Sequence, residues 1–246
     1  MTNRIGIAGI TGRMGKLLQE EIAAAGAALS GGTSRANPDL AALAARSDVV
    51  IDFTNAAAAQ SNAAIMAASG KAWILGTSGL SAADEAAVEQ AAAKIPVVYA
   101  ANFSAGVNLV LALAERMAAT LPADTYDAEI VEMHHRQKVD APSGTAIGMG
   151  RAVAKGRGQK LEDVMESGRD GDTGARKTGA IGFAALRGGQ VVGEHSLIFA
   201  AGAEHIVLTH RSFDRRTYAT GAVRAALWAA GRPPRLYSMM DVLGMA

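Results

Sequence analysis

Five short apolar runs alternate with alanine-rich helical stretches over the first hundred residues, and this alternation limits the fold more than anything else in the chain. The runs are Arg4-Ile5-Gly6-Ile7-Ala8, Ala27-Ala28-Leu29 ending near Gly31-Gly32, Asp48-Val49-Val50-Ile51-Asp52-Phe53, Ala72-Trp73-Ile74-Leu75 and Pro96-Val97-Val98-Tyr99. Lys16 to Ile22 shows helical periodicity, and further helical stretches fall at 56–68 and 81–94. Strands separated by helices pair through crossovers rather than hairpins, so a parallel, doubly wound α/β sheet is expected. Aromatic residues make up only 4% of the chain against 50% hydrophobic overall, so its core must be built from Ala, Val, Leu and Ile.

Ligands of such sheets bind beyond the carboxyl ends of the strands. The first strand ends in Gly9-Ile10-Thr11-Gly12-Arg13-Met14-Gly15, a glycine turn that opens a helix. Glycine lets backbone approach a pyrophosphate, and the helix start adds N–H groups and positive potential. The spacing departs from G-x-G-x-x-G, because Thr11 holds the middle glycine position. The other strand ends carry Thr33-Ser34-Arg35, Asp52-Phe53-Thr54, Gly76-Thr77-Ser78-Gly79 and Ala100-Ala101-Asn102-Phe103, all small or polar. Together they point to a dinucleotide. An NAD site usually places an acid at the end of the second strand to bind the ribose 2′-hydroxyl. Here Ser34 and Arg35 stand there and the first acid beyond is Asp39. Arg35 suits a 2′-phosphate, so NADPH is the expected preferred cofactor, with NADH usable.

The second half reads differently. Gly106-Val107-Asn108-Leu109-Val110 opens an apolar helix, and Tyr126 to Met133 alternates polar and apolar like a half-buried strand. Then comes His134-His135-Arg136-Gln137-Lys138-Val139-Asp140-Ala141-Pro142-Ser143-Gly144-Thr145. It sets two imidazoles and two cations beside a Ser-Gly-Thr turn that leads into a helix at 146–155. Histidine exchanges protons near neutral pH, and a helix start binds anions. The combination suggests a site for a small carboxylate or phosphate. His134 and Lys138 serve one small ring only if the backbone between them is irregular, because a strand separates them by roughly 13 Å. Residues 156–178 read as a long loop, and strand candidates at 180–186, 190–199 and 203–211 follow, joined by short turns suited to antiparallel pairing. The helix at 217–230 and the tail around Met239-Met240-Asp241 are expected to return to the first domain. This gives a dinucleotide domain of 1–104 plus 214–246 and an α+β mixed-sheet domain of 105–213.

Several classes are excluded. The net charge of +1 offers no nucleic-acid face, and the absence of cysteine removes disulfides and thiolate metal sites. No apolar span of about 18 residues occurs, so a cytoplasmic protein without a membrane partner is expected. No metal site is expected, since His134 and His135 point apart on a strand and no third ligand has a clear spacing. His195, His205 and His210 lie on strand candidates and read as structural, and His135 serves either an anion or a structural hydrogen bond.

The chain resembles the 4-hydroxy-tetrahydrodipicolinate reductase (dihydrodipicolinate reductase) family in Gly9–Gly15, Asp52-Phe53-Thr54, Gly76–Gly79, Ala101–Ser104, Arg187-Gly188-Gly189 and Val192-Gly193-Glu194-His195, and above all in 132–146. The resemblance implies a Rossmann-like nucleotide domain, a substrate domain whose mixed sheets pair in a homotetramer, and hydride transfer from NAD(P)H to a cyclic imine dicarboxylate with loss of water. It implies His134 and Lys138 as proton donors, with His135, Lys138, Ser143, Gly144 and Thr145 at the substrate. It implies cofactor contacts from Gly9, Ile10, Thr11, Gly12, Arg13 and Met14, from Ser34 and Arg35, from Gly76, Thr77 and Ser78, and from Ala100, Ala101, Asn102 and Phe103. Ala203-Glu204-His205 departs from the family's Gly-Glu-Arg, and Ser34 replaces its common acid. A noncatalytic nucleotide sensor explains the glycine turn but not the His-Lys cluster; a dehydrogenase of another small oxo- or imino-acid is the nearer alternative.

Overall fold

The computed structural model describes residues 2–245. The chain divides into two compact units, Met1–Ala105 with Arg215–Ala246, and Gly106–Asp214. Each division falls one residue beyond the expected 104/105 and 213/214.

The first unit holds β1 (Arg4–Ala8), α1 (Arg13–Ala24), β2 (Ala28–Gly32), α2 (Leu40–Ala45), β3 (Val49–Asp52), α3 (Ala59–Ser69), β4 (Ala72–Leu75), α4 (Ala82–Ala92) and β5 (Pro96–Tyr99). After the second unit it resumes with α8 (Arg216–Ala229), β11 (Arg235–Tyr237) and α9 (Met239–Leu243). The strands form one sheet in the order β11-β5-β4-β3-β1-β2, with every neighbouring pair parallel. The chain builds outward from β1 to β2, then reverses across β1 to β3. The loops after β1 and β3 therefore flank the switch point where such sheets bind ligands.

Both faces of this sheet are covered, so its strands are apolar throughout. Ile5, Ile7, Val49, Ile51 and Ile74 pack on one side against Leu18 and Ile22 of α1 and the alanines of α8. Val50, Trp73, Leu75 and Val97 pack on the other against Leu43, Met66 and Val88 of α2, α3 and α4. Small residues make the α8 contact possible. A Cβ on Gly221 would stand 1.8 Å from the Phe103 carbonyl oxygen. Helix starts follow their caps: Ser81 and Asp84 form a capping box before α4, and Asp39 accepts from the Ala42 N–H before α2. The short α2 is absent from the sequence reading, which treated Asp39 only as a distant acid.

The second unit holds α5 (Ala105–Thr120), β6 (Asp127–His134), α6 (Gly144–Gly156), α7 (Leu161–Val164), β7 (Met165–Ser167), β8 (Ile181–Arg187), β9 (Gly193–Ala200) and β10 (His205–Ser212). Its sheet runs β10-β9-β6-β8-β7. Here the expected run of antiparallel hairpins needs correcting. β9 and β10 pair antiparallel, but β6 lies between β8 and β9, parallel to the first and antiparallel to the second. The strictly alternating β6 buries one face along its whole length, which suits a central strand. The 156–178 segment is also more ordered in form than a single long loop. α7 and β7 occupy part of it, and Arg169 and Arg176 tie the rest to Glu129 and Asp127 on β6.

The inner face of β6 changes character along the strand. Ala128 and Ile130 join Met149 and Val153 of α6 and Leu197 and Phe199 of β9 in an apolar core. The next two inward residues are Glu132 and His134. The core thus gives way to ionisable groups at the carboxyl end of the central strand.

Candidate active site

Strand register assembles the second unit's cluster. Glu132 stands opposite His195 on β9, and His195 opposite His210 on β10. His134 stands opposite Arg187 on parallel β8. Glu132, His134 and His195 are each under a tenth exposed. Glu132 Oε2 lies 2.6 Å from His134 Nδ1. Arg187 grips the same carboxylate with two N–H groups, at 2.9 Å to Oε2 and 2.8 Å to Oε1. The Ser143 N–H donates to Oε1 at 3.2 Å. These donors hold Glu132 below the usual carboxylate range despite its burial.

The loop after β6 is a turn, as a shared His134–Lys138 site requires. The Lys138 N–H donates to the His135 carbonyl, and the Gly188 and Arg136 N–H groups donate to His134 and Gly189 carbonyls. Lys138 Nζ reaches Asp140 at 2.8 Å. Burial draws His134 below its ordinary value, Glu132 pulls the other way, and the Lys138 and Arg187 charges add smaller downward contributions. Ser143 caps α6 through the Ala146 N–H, and its Oγ lies 3.0 Å from His195 Nε2. His195 is pushed down to about 4, first by burial and then by its charged neighbours, so it is neutral at pH 7. Gly144 opens the helix, and nothing lies within 4 Å of where its Cβ would sit. The helix start is open there, with Thr145 beside it. His135 Nδ1 is buried without a partner among the described residues.

His134, Lys138, Ser143 and the α6 start therefore come together, with His135 at the root of the same turn. Glu132, Arg187 and Asp140 were given no role by sequence reasoning, and His195 was read as structural. Glu132 was legible in principle, since i and i+2 share a strand face. His195 needed the β6–β9 register, which no local pattern supplies.

In the first unit the expected cofactor residues sit at the carboxyl ends of parallel strands. Gly9 takes φ +83°, and its N–H and that of Ile10 bond Thr33 Oγ1 and the Thr33 carbonyl. This turn delivers Thr11 and Gly12 to α1, where no side chain caps Gly12 and Arg13 and Met14 form the open first turn. A Cβ on Gly15 would stand 2.4 Å from the Gly9 carbonyl oxygen, so the turn closes only over glycine. Ser34 pairs with Asn37 across a tight turn that carries exposed Arg35 at its tip. Phe53 organises the remaining ends: a Cβ on Gly76 would stand 2.3 Å from its ring, which also meets Phe103 at 5.6 Å between centroids. Thr77 is buried with Oγ1 unpartnered among the described residues, and Ser78 beside it is exposed. Ala100 and Ala101 precede Asn102, whose Oδ1 accepts from the Ser104 N–H. An uncapped helix start, a glycine-only turn and an orphaned hydroxyl fit a dinucleotide. Among the described residues no group of three His, Asp or Glu side chains is placed to hold a metal.

Fold and side-chain chemistry together define a two-unit oxidoreductase, one unit shaped for a dinucleotide and the other carrying a buried Glu132–His134 pair beside an open helix start. Comparison with known proteins narrows this class. The family models "Dihydrodipicolinate reductase, N-terminus" and "Dihydrodipicolinate reductase, C-terminus" match residues 3–103 and 106–243. The chain belongs to the dihydrodipicolinate reductase family. It is 66% identical to the 4-hydroxy-tetrahydrodipicolinate reductase of Granulibacter bethesdensis, with 98% of this chain and 97% of the relative covered. It is 65% identical to the enzyme of that name from Acidiphilium cryptum, with 98% of each covered. Among solved structures, a dipicolinate-bound dihydrodipicolinate reductase from Paenisporosarcina sp. TG-14 shares the fold at TM-score 0.75 and 21% identity, covering 98% of this chain and 99% of that one.

Proposed function

We propose that this chain reduces 4-hydroxy-tetrahydrodipicolinate to tetrahydrodipicolinate in the diaminopimelate route to lysine. Substrate, NAD(P)H and one proton give product, NAD(P)⁺ and water. The observation that carries this reading is the buried Glu132–His134 pair beside the open α6 start, in a chain both of whose halves match the family.

A bound nicotinamide cofactor supplies the hydride. The backbone from Gly9 to Met14 receives its pyrophosphate, and residues 76–78 and 100–103 line the rest of its site. Ser34 and Arg35 favour the 2′-phosphate, so NADPH is preferred and NADH accepted. One substrate carboxylate sits at the N–H groups of Gly144 and Thr145 with the Ser143 hydroxyl; Lys138 and His135 hold the other. A dicarboxylate beside His134 favours the imidazolium, so substrate binding loads Nε2 with the proton that it gives to the atom where hydride addition builds negative charge. Lys138 is a second proton donor. Such general acid catalysis contributes about 10²–10⁴-fold.

The open face of the second sheet supports assembly. It presents Val131, Met133 and Ile198, with Leu186 and Val207 each about half exposed, and pairing of such faces builds the proposed homotetramer. The location proposed is the cytoplasm, with no nucleic-acid or membrane partner; among the described residues no helix is long and apolar enough to cross a membrane.

The test couples the protein to the upstream synthase with pyruvate and aspartate semialdehyde and follows NADPH absorbance. Synthase-dependent oxidation is expected, and His134→Gln is expected to lower turnover about 10²–10⁴-fold while still binding NADPH. Absence of oxidation by the wild-type protein would sink the reading.

A further inference from the structure

We propose that Glu132 and Arg187 form a positioning pair for His134: the Arg187-clasped carboxylate fixes which imidazole nitrogen carries the resting proton and aims the other at the substrate. The inference rests on His134 being the proton donor of the proposed reduction.

A buried carboxylate is costly unless its charge and lone pairs are matched. Glu132 is 1% exposed, and every close partner it has is a donor. Arg187 takes both oxygens as a fork, the Ser143 N–H adds to Oε1, and His134 Nδ1 adds to Oε2. Arg187 spends two further N–H groups on the Leu186 and Asp140 carbonyls, at 2.6 and 2.7 Å. The guanidinium thereby locks β6, the end of β8 and the loop carrying Lys138 into one arrangement. An ionised carboxylate only accepts, so Nδ1 must bear the hydrogen and Nε2 is left for proton exchange. Gly193 keeps that side clear, since a Cβ there would stand 3.0 Å from His134 Nε2.

The charges around His134 give the pair a distinctive signature. Glu132 on its own strand favours the imidazolium. Burial opposes it most, and Lys138 from the loop and Arg187 from β8 oppose it by smaller amounts. On β9, His195 meets the His134 ring edge-on at 5.0 Å between centroids and is neutral, with His210 behind it on β10. Asp140 is taken up by Lys138, and Ser143 is uncharged. Deleting the Glu132 charge and deleting the Arg187 charge must therefore move His134 in opposite directions.

Two experiments decide. In the first, kcat is followed against pH for Glu132→Gln and Arg187→Met. A general acid loses activity as pH rises through its own pKa, so the alkaline limb is expected to move to lower pH in Glu132→Gln and, by a smaller amount, to higher pH in Arg187→Met. Limbs that move together, or do not move, overturn the proposal. In the second, the double variant Glu132→Leu with Arg187→Met replaces the ion pair by apolar groups of similar size, an exchange that buried pairs commonly tolerate. Imidazole ¹⁵N shifts of His134 in cofactor-free protein are expected to pass from the Nδ1–H form to a majority of the Nε2–H form, with turnover about 10²-fold lower. An unchanged tautomer overturns the proposal whatever the turnover. Near-wild-type turnover in His134→Gln would instead remove the catalytic reading on which it rests, and the ¹⁵N result would still stand.

Discussion

His195 should make stability depend on pH in a window that a single substitution removes. The ring is 4% exposed and pushed from 6.5 down to about 4 by burial and by the charges around it. In the unfolded chain the same ring protonates near its ordinary value. Between about pH 6.5 and 4 the unfolded state therefore binds more protons than the folded one, and stability rises with pH across that range. The stabilisation is complete above the unfolded pKa and lost as pH falls through the folded one. At about 1.4 kcal/mol per tenfold, the gap is worth about 3 kcal/mol. Urea denaturation of wild type and His195→Gln at intervals from pH 4 to pH 7.5 measures it. The variant loses the Ser143 contact at every pH, so a constant offset is expected. Superimposed on it, the wild type should lose about 3 kcal/mol more than the variant on acidification. A difference that stays flat from pH 7.5 to pH 4 would refute the assignment of a buried, neutral His195.

Two further outcomes follow from the first unit. Gly15→Ala drives a methyl group into the Gly9 and Ile10 carbonyls; NADPH affinity should fall at least tenfold and stability by about 1–3 kcal/mol, read by fluorescence titration and thermal melting. Arg35→Ala, at an exposed position in its turn, should leave the melting temperature unchanged while the ratio of kcat/KM for NADPH over NADH drops about tenfold, the loss of one charge-assisted phosphate contact.

What was legible in the chain follows from the range of each signal. β3 and β4 announced themselves because a strand buried on both faces is apolar throughout, and Val49-Val50-Ile51 and Trp73-Ile74-Leu75 need no partner to be read. The glycine turn was legible for the same local reason, since a helix start and the glycines before it are neighbours in sequence. The order of the second sheet was not. Short turns between β8, β9 and β10 suggested sequential pairing, yet β6, more than forty residues upstream, inserts between β8 and β9. That choice is made by the Ala128, Ile130, Leu197 and Phe199 core, a tertiary preference with no local trace. The same long-range register hid His195 and Arg187 from the reading of the site, while His134, Lys138 and Ser143 were visible because they lie within ten residues of one another, from the end of β6 to the start of α6.

The first unit is completed only by the last thirty-odd residues, and this shapes how the protein is made. A ribosome that has translated as far as Asp214 has released β1 to β5 without α8. Ile5, Ile7, Ile51 and Ile74 then lack the alanine surface that finally covers them. Throughout synthesis of the inserted unit, that sheet is a sticky intermediate that holdase chaperones would bind. A nonsense mutation just upstream of residue 215 would therefore yield an aggregating fragment, not a working half.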